Sequence, residues 1–128
     1  MHEEAATALN VLFRRNDEVY LSSQNLIEFW NVCTRPINRN WFGNDGVAQA
    51  DVELTRLEGV FFVLPDTPAV YPEWRRLVWA HNVMGVNHDA RLVAVMLVYG
   101  LTHILSFNID DFRRFSEITV VQPEEICV

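Results

Sequence analysis

The chain contains no lysine, so all ten of its basic residues are arginines. Seventeen acidic residues outnumber them, and the formal net charge is −7. General binding to nucleic acid depends on neutralising many phosphates, so this balance predicts a poor general binder of nucleic acid. It does not exclude local chemistry on a phosphate, because clustered carboxylates hold cations and a few arginines suffice to hold phosphate oxygens.

Cysteine and long apolar runs are also scarce. Cys33 and Cys127 stand far apart without metal-ligand spacing, which excludes a disulfide scaffold and leaves buried or free thiols. The longest apolar run, Leu92 to Leu101, is too short to span a bilayer, which takes roughly 20 residues. The opening Met1-His2-Glu3-Glu4 lacks the features of a signal peptide. These absences predict a cytoplasmic protein with no membrane partner.

Half of the residues are hydrophobic, which is enough to build the core of one domain over residues 1–128. Short β-branched runs alternate with helical patterns, and this alternation predicts an α/β fold with a mainly parallel sheet. The predicted strands lie near Val19–Leu21, Val60–Leu64, Thr102–Ser106 and Ile118–Val121. The predicted helices run from Glu3 to Arg15, Ser23 to Thr34, Val47 to Glu58, Pro68 to Asn82, Asn87 to Tyr99 and Asp110 to Phe115.

One helix carries a narrow polar stripe on an otherwise apolar surface. Gln24, Glu28, Asn31 and Arg35 fall on one side at about 100° per residue. Such a stripe is either the solvent face of a packed helix or the lining of a cleft. So little of this helix remains for solvent that we favour a cleft with Glu28 inside it.

Further polar residues stand near a helix start and a strand end. Asp89 opens an apolar helix, where an acid also interacts well with the helix dipole. Asn108 and Asp111 follow the strand His103–Ser106, where they also suit a turn that caps a short helix. Taken alone, each residue is better explained by these structural roles than by function.

Together, these acids change the balance. Glu28, Asp89, Asn108 and Asp111 are all expected at the edge of the sheet where ligands bind in open α/β folds. Grouped acids repel unless a cation neutralises them, and hard oxygen ligands suit Mg²⁺ or Mn²⁺. We therefore expect the side chains to converge on a cation. Arg35, Arg39 and Arg91 are the phosphate-contact candidates near these acids.

Three stretches of the sequence resemble a PIN domain of the VapC-type toxin ribonucleases. They are Leu26-Ile27-Glu28-Phe29-Trp30 through Pro36, His88-Asp89-Ala90-Arg91-Leu92-Val93-Ala94, and Leu105-Ser106-Phe107-Asn108-Ile109-Asp110-Asp111-Phe112 through Phe115. The resemblance covers nearly the whole chain in order. It implies a three-layer α/β/α sandwich and cleavage of RNA with Mg²⁺ or Mn²⁺. It also implies a homodimer that a VapB-like antitoxin holds inactive.

The resemblance assigns roles residue by residue. Glu28, Asp89 and Asp111 match metal-binding acids, and Asn108 matches a further catalytic position that holds Asp or Asn. Near these acids, Asn31, Arg35 and Arg91 are the candidate substrate contacts. We therefore expect a metal-dependent endoribonuclease, the toxin of a type II toxin–antitoxin pair.

The start of the sequence departs from the family pattern. The family opens with an apolar strand that ends in a metal-binding Asp, whereas this sequence opens directly with a helix. We therefore expect a PIN-like domain truncated at its N-terminus, with its first strand missing and weak or no nuclease activity. Two alternatives remain: a degraded PIN-like protein that only binds an antitoxin, and an unrelated α/β ligand-binding domain that the matched motifs disfavour.

Overall fold

A computed structural model describes residues 2–34, 46–85 and 87–127. Its elements in chain order are α1 (His2–Arg14), β1 (Tyr20–Ser22), α2 (Ser23–Cys33), α3 (Gly46–Val60), β2 (Phe62–Leu64), α4 (Val70–Ala80), α5 (His88–Val98), β3 (His103–Leu105), α6 (Ile109–Phe112), β4 (Thr119–Val121) and α7 (Pro123–Cys127). All four predicted strands are present, and their pairing is parallel, so the predicted α/β class is confirmed. None of the described helices is long and apolar enough to cross a bilayer.

The chain divides into two compact units. The smaller unit, Val19–Asp66, contains the parallel pair of β1 and β2 with α2 and α3. In this pair Leu21 lies opposite Val63, and the aromatic rings of Tyr20 and Phe62 meet edge to face at 5.9 Å. The expectation of one domain over the whole chain stays a prediction.

The larger unit combines Met1–Glu18 with Thr67–Val128. It holds the parallel pair of β3 and β4, with Ile104 opposite Val120, and α4 packs against α5. Helix α5 supplies much of the core, since five of its eleven residues are buried. The buried apolar side chains of this unit are Ala8, Val70, Leu77, Ala90, Val93, Ala94, Val95, Met96, Phe112, Phe115 and Ile118.

Three helices of the larger unit end in the same hydrogen-bonded turn. At α5, the N–H of Leu101 donates to the carbonyl of Met96 at 2.8 Å, and the N–H of Gly100 donates to that of Leu97 at 3.1 Å. Gly100 takes the left-handed conformation that this turn requires, with φ 72°. Asn16 and Asn82 take the same position after α1 and α4, with φ 63° and 52°. The predicted stops at Asn16 and Gly100 are therefore confirmed.

Some predicted boundaries were wrong. Pro68 was expected in the first turn of its helix, but the chain first forms a turn in which the N–H of Val70 donates to the carbonyl of Thr67 at 3.0 Å. The helix begins only at Val70. Val60 belongs to α3 and not to a strand. Pro123 opens α7, a short helix that was not predicted, although proline suits a first helical position.

Candidate active site

Asp89 occupies the first turn of α5, and its position is fixed by a side-chain cap. The side-chain oxygen of Asn87 accepts a hydrogen bond from the N–H of Ala90 at 2.9 Å, as an N-cap residue does. Asp89 itself is half-buried. This cap places the Asp89 carboxylate at the positive end of the helix dipole.

Asn108 and Asp111 follow β3 in the same unit. A tight turn leads out of the strand, with the N–H of Asn108 donating to the Ser106 hydroxyl at 3.0 Å. Asn108 stands at the N-cap position of α6, yet its side chain makes no capping hydrogen bond. The structural alternative of a capping turn is therefore met by the position of Asn108 but not by its side chain. Asn108 and Asp111 are both exposed, so their oxygens face solvent.

The order of elements is a reason to expect these residues at one edge of the larger unit. Residues 99–102 connect the end of α5 to the start of β3, and so short a connection makes consecutive elements neighbours that run in opposite directions. The start of α5 therefore lies on the side where β3 ends. On this basis the convergence of the Asp89, Asn108 and Asp111 side chains at a common edge stays a prediction.

The smaller unit holds the remaining described site candidates, on α2. A capping box starts this helix: the Asn25 side-chain oxygen accepts from the N–H of Ser22 at 2.8 Å, and the Ser22 hydroxyl accepts from the N–H of Asn25 at 3.3 Å. Next to this cap, the Gln24 amide donates to a carboxylate oxygen of Glu28, one turn further along the helix, at 3.1 Å. Gln24 is buried, whereas Glu28 and Asn31 are exposed.

The polar stripe therefore runs from the interior of the unit out to solvent. Arg35, Arg39, Trp41 and Phe42 lie outside the described residues. Arg91, two residues after Asp89 on α5, is half-buried. Convergence of Glu28 with the acids of the larger unit stays a prediction.

The donor set of the larger unit suits a hard divalent cation. Asp89 and Asp111 offer carboxylate oxygens and Asn108 an amide oxygen, and Mg²⁺ is commonly held by one or two carboxylates, water and substrate phosphate. Residues 2–34, 46–85 and 87–127 contain no group of three or more His, Cys, Asp or Glu side chains that could hold a metal ion. Within the described residues the cation site therefore stays a prediction.

A polar link that the sequence did not reveal anchors the end of α4. The His81 ring nitrogen Nε2 lies 2.8 and 3.1 Å from the two carboxylate oxygens of Glu117. The His81 ring also meets the buried Phe115 ring edge to face at 5.2 Å. Arg76 adds a longer contact to Glu117 at 3.7 Å. No local spacing signals a pair 36 residues apart, so only the tertiary fold shows it.

The two cysteines differ in environment, and both are free. Cys33 at the end of α2 is buried, whereas Cys127 in α7 is exposed. Burial, and secondarily the negative charge of Glu53, raises the pKa of the Cys33 thiol. Cys33 is therefore held as a neutral thiol in the packed interior, with no sign of a nucleophilic role.

The PIN domain family model matches residues 1–118, which include every candidate site residue. No curated protein and no solved structure matches the chain significantly.

Proposed function

Because the chain belongs to the PIN domain family, whose members are typically metal-dependent nucleases, we propose that it is an endoribonuclease and the toxin of a type II toxin–antitoxin pair. The observation that carries this proposal is the placement of Asp89 at the capped start of α5 and of Asn108 and Asp111 directly after β3. Family membership alone supports a nuclease. The VapC-like motifs around these residues support RNA as substrate and a VapB-like antitoxin as partner.

Each residue has a role that its position supports. Asp89, Asp111 and Glu28 would hold Mg²⁺ or Mn²⁺, which when bound activates water and stabilises negative charge on a phosphate. Asn108 would orient the scissile phosphate or the water through its amide, which α6 does not use for capping. Arg91, half-buried two residues after Asp89 on α5, would pair with a phosphate oxygen, and Asn31 and Arg35 would contact the RNA.

Cleavage of single-stranded RNA by the purified protein tests the proposal. We expect weak Mn²⁺-dependent cleavage that EDTA stops and that Asp89→Asn lowers by at least tenfold, since this change removes the charge and keeps the shape. Glu124→Gln is the matched control, because Glu124 is an exposed acid in the first turn of another helix, α7. It should leave the rate unchanged.

Two outcomes would refute this proposal. Cleavage that is equal in wild type and Asp89→Asn would show that the acid of α5 takes no part. Absence of cleavage by wild type at any Mn²⁺ or Mg²⁺ concentration would refute the nuclease and favour the alternative, a PIN-like protein that only binds an antitoxin. In that case the protein would form a stable complex with the antitoxin although it has no nuclease activity.

A further inference from the structure

The outer face of α4 carries an exposed stripe of one cation and two apolar residues. Pro72, Arg75 and Trp79 fall within about 60° of one another at 100° per residue, and all three are exposed. The opposite face holds the buried Val70 and Leu77, which belong to the core. We call Pro72, Arg75 and Trp79 the α4 stripe. At 88% exposure, Trp79 presents nearly its whole indole to solvent.

Trp79 stands in the last turn of α4, and we expect this turn at the same end of the helix pair as Asp89. Helices α4 and α5 pack against each other and are joined by residues 81–87, so they run antiparallel. The last turn of α4 therefore lies at the same end of the pair as the first turn of α5, which carries Asp89. Met84, in the connecting segment, is 80% exposed and adds apolar surface at this end.

The helix end that presents Trp79 is well anchored. The backbone carbonyl of Trp79 accepts from the N–H of Asn82 at 3.4 Å, and the N–H of Val83 donates to the carbonyl of Val78 at 2.9 Å. Two residues after Trp79, the His81 ring is bound to the Glu117 carboxylate. A rigid aromatic platform binds a flat ligand without a large cost in ordering the backbone.

The charge on the α4 stripe narrows the choice of partner. Arg76 is engaged by Glu73 and Glu117, but Arg75 makes no ion pair within residues 2–34, 46–85 and 87–127. If two copies met through this stripe about a twofold axis, Arg75 at its centre would face its own counterpart, and like charges would repel. An anionic partner with flat apolar groups fits the stripe better, and single-stranded nucleic acid has both properties.

We propose that the α4 stripe guides single-stranded RNA to the acids at the start of α5, with a base stacked on Trp79 and a phosphate paired with Arg75. This inference rests on the proposed function for the choice of RNA as ligand. Because the chain as a whole is acidic, the strand is held here by local stacking and one ion pair and not by a broad positive field. Stacking on an aromatic ring tolerates any base, so the stripe contributes affinity and not sequence selection.

Equilibrium binding of a fluorescein-labelled single-stranded RNA 12-mer, followed by anisotropy in EDTA, tests the proposal without cleavage. We expect Trp79→Ala to weaken binding by about tenfold, within the range for loss of one stacked base, and Trp79→Phe to retain most of the affinity. Arg75→Gln should weaken binding. It should also reduce the slope of log affinity against log salt concentration by about one, the share of one phosphate contact. Arg15→Gln is the control, because it removes an exposed cation in the turn after α1. It should change neither the RNA affinity nor its salt dependence.

The outcomes separate this inference from the proposed function. Wild-type affinity in Trp79→Ala, or no RNA binding by wild type, overturns the inference, even where Asp89→Asn abolishes cleavage. Trp79-dependent binding without cleavage by wild type supports the inference and refutes the nuclease. If light scattering shows that Trp79→Ala dissociates a dimer while RNA affinity stays unchanged, the stripe is a contact between copies and the inference is wrong.

Discussion

Removal of the Asn87 side chain tests how the acid of α5 is held. In Asn87→Ala the N–H of Ala90 loses the oxygen that accepts its hydrogen bond at 2.9 Å. Ala90 is fully buried, so water reaches the vacated site poorly. The first helical N–H groups have no partners within the helix, and this one would then be left without any.

The expected loss of stability follows from two independent magnitudes. Replacing an Asn N-cap by Ala costs about 0.5–2 kcal/mol, and leaving a buried donor unsatisfied costs about 1–3 kcal/mol. Because Asn87 is itself half-buried, we expect a value of about 1–2 kcal/mol, where these two ranges overlap. Asn87→Asp keeps the acceptor oxygen and should lie within about 0.5 kcal/mol of wild type.

Ser22→Ala is a matched comparison at the start of α2. Its lost acceptor had a longer bond, 3.3 Å, and the Asn25 side chain would still accept from the backbone N–H of residue 22. We therefore expect a smaller loss, below about 1 kcal/mol. The three variants should rank with Asn87→Ala lowest in stability.

Urea denaturation, followed by circular dichroism and by tryptophan fluorescence, measures these free energies of unfolding. Coincident transitions by the two probes would justify a two-state fit. The reasoning fails if Asn87→Ala unfolds at the wild-type urea concentration. It fails equally if Asn87→Asp is as unstable as Asn87→Ala, because the loss would then have another source than the capping oxygen.

Three further predictions concern packing and titration. Leu77→Ala, which empties a fully buried position on α4, should cost about 2–5 kcal/mol by urea denaturation, and a loss below 1 kcal/mol would show that this position is not part of the core. A double-mutant cycle with His81→Ala and Glu117→Ala should give a coupling energy of about 0.5–2 kcal/mol at neutral pH, whereas additive losses would show that the contact contributes nothing. Cys127 should react with a thiol reagent at once and Cys33 only on unfolding. Because burial raises the pKa of Cys33 in the folded state, its contribution to stability is intact below the ordinary thiol pKa of 9.0 and is lost as pH rises through the raised value. This argument would be contradicted if the stability of the wild type fell no faster above pH 9 than that of Cys33→Ala.

Local chemistry explains which parts of the fold the sequence could predict. Ser22, Asn87 and Gly100 act through hydrogen bonds to residues a few positions away, so their roles are readable from the chain alone. Pro68 misled because proline suits both a first helical turn and the turn before it. The boundary at Val60 was wrong because a β-branched residue beside a strand was counted with the strand, although a helix continues through it.

In the candidate site, too, local features could be predicted from the sequence and tertiary contacts could not. That Asp89 would start a helix, and that Asn108 and Asp111 would follow a strand, depends on local pattern and was predicted. The sequence could not decide whether the Asn108 side chain caps α6, because that depends on hydrogen bonds that only the fold shows. The His81–Glu117 link depends on tertiary packing, which periodicity does not contain.

The deep burial of α5 has a consequence for motion. Its central residues, Val93 through Met96, are at most 7% exposed, so their amides are reached by solvent only when the larger unit opens. These amides should be among the slowest in the protein to exchange with deuterium. Asp89 thus lies on a helix with a deeply buried centre, whereas Asn108 and Asp111 lie on an exposed turn and a four-residue helix. Adjustment to a substrate would therefore come from the segment after β3, with α5 as the fixed reference against which it moves.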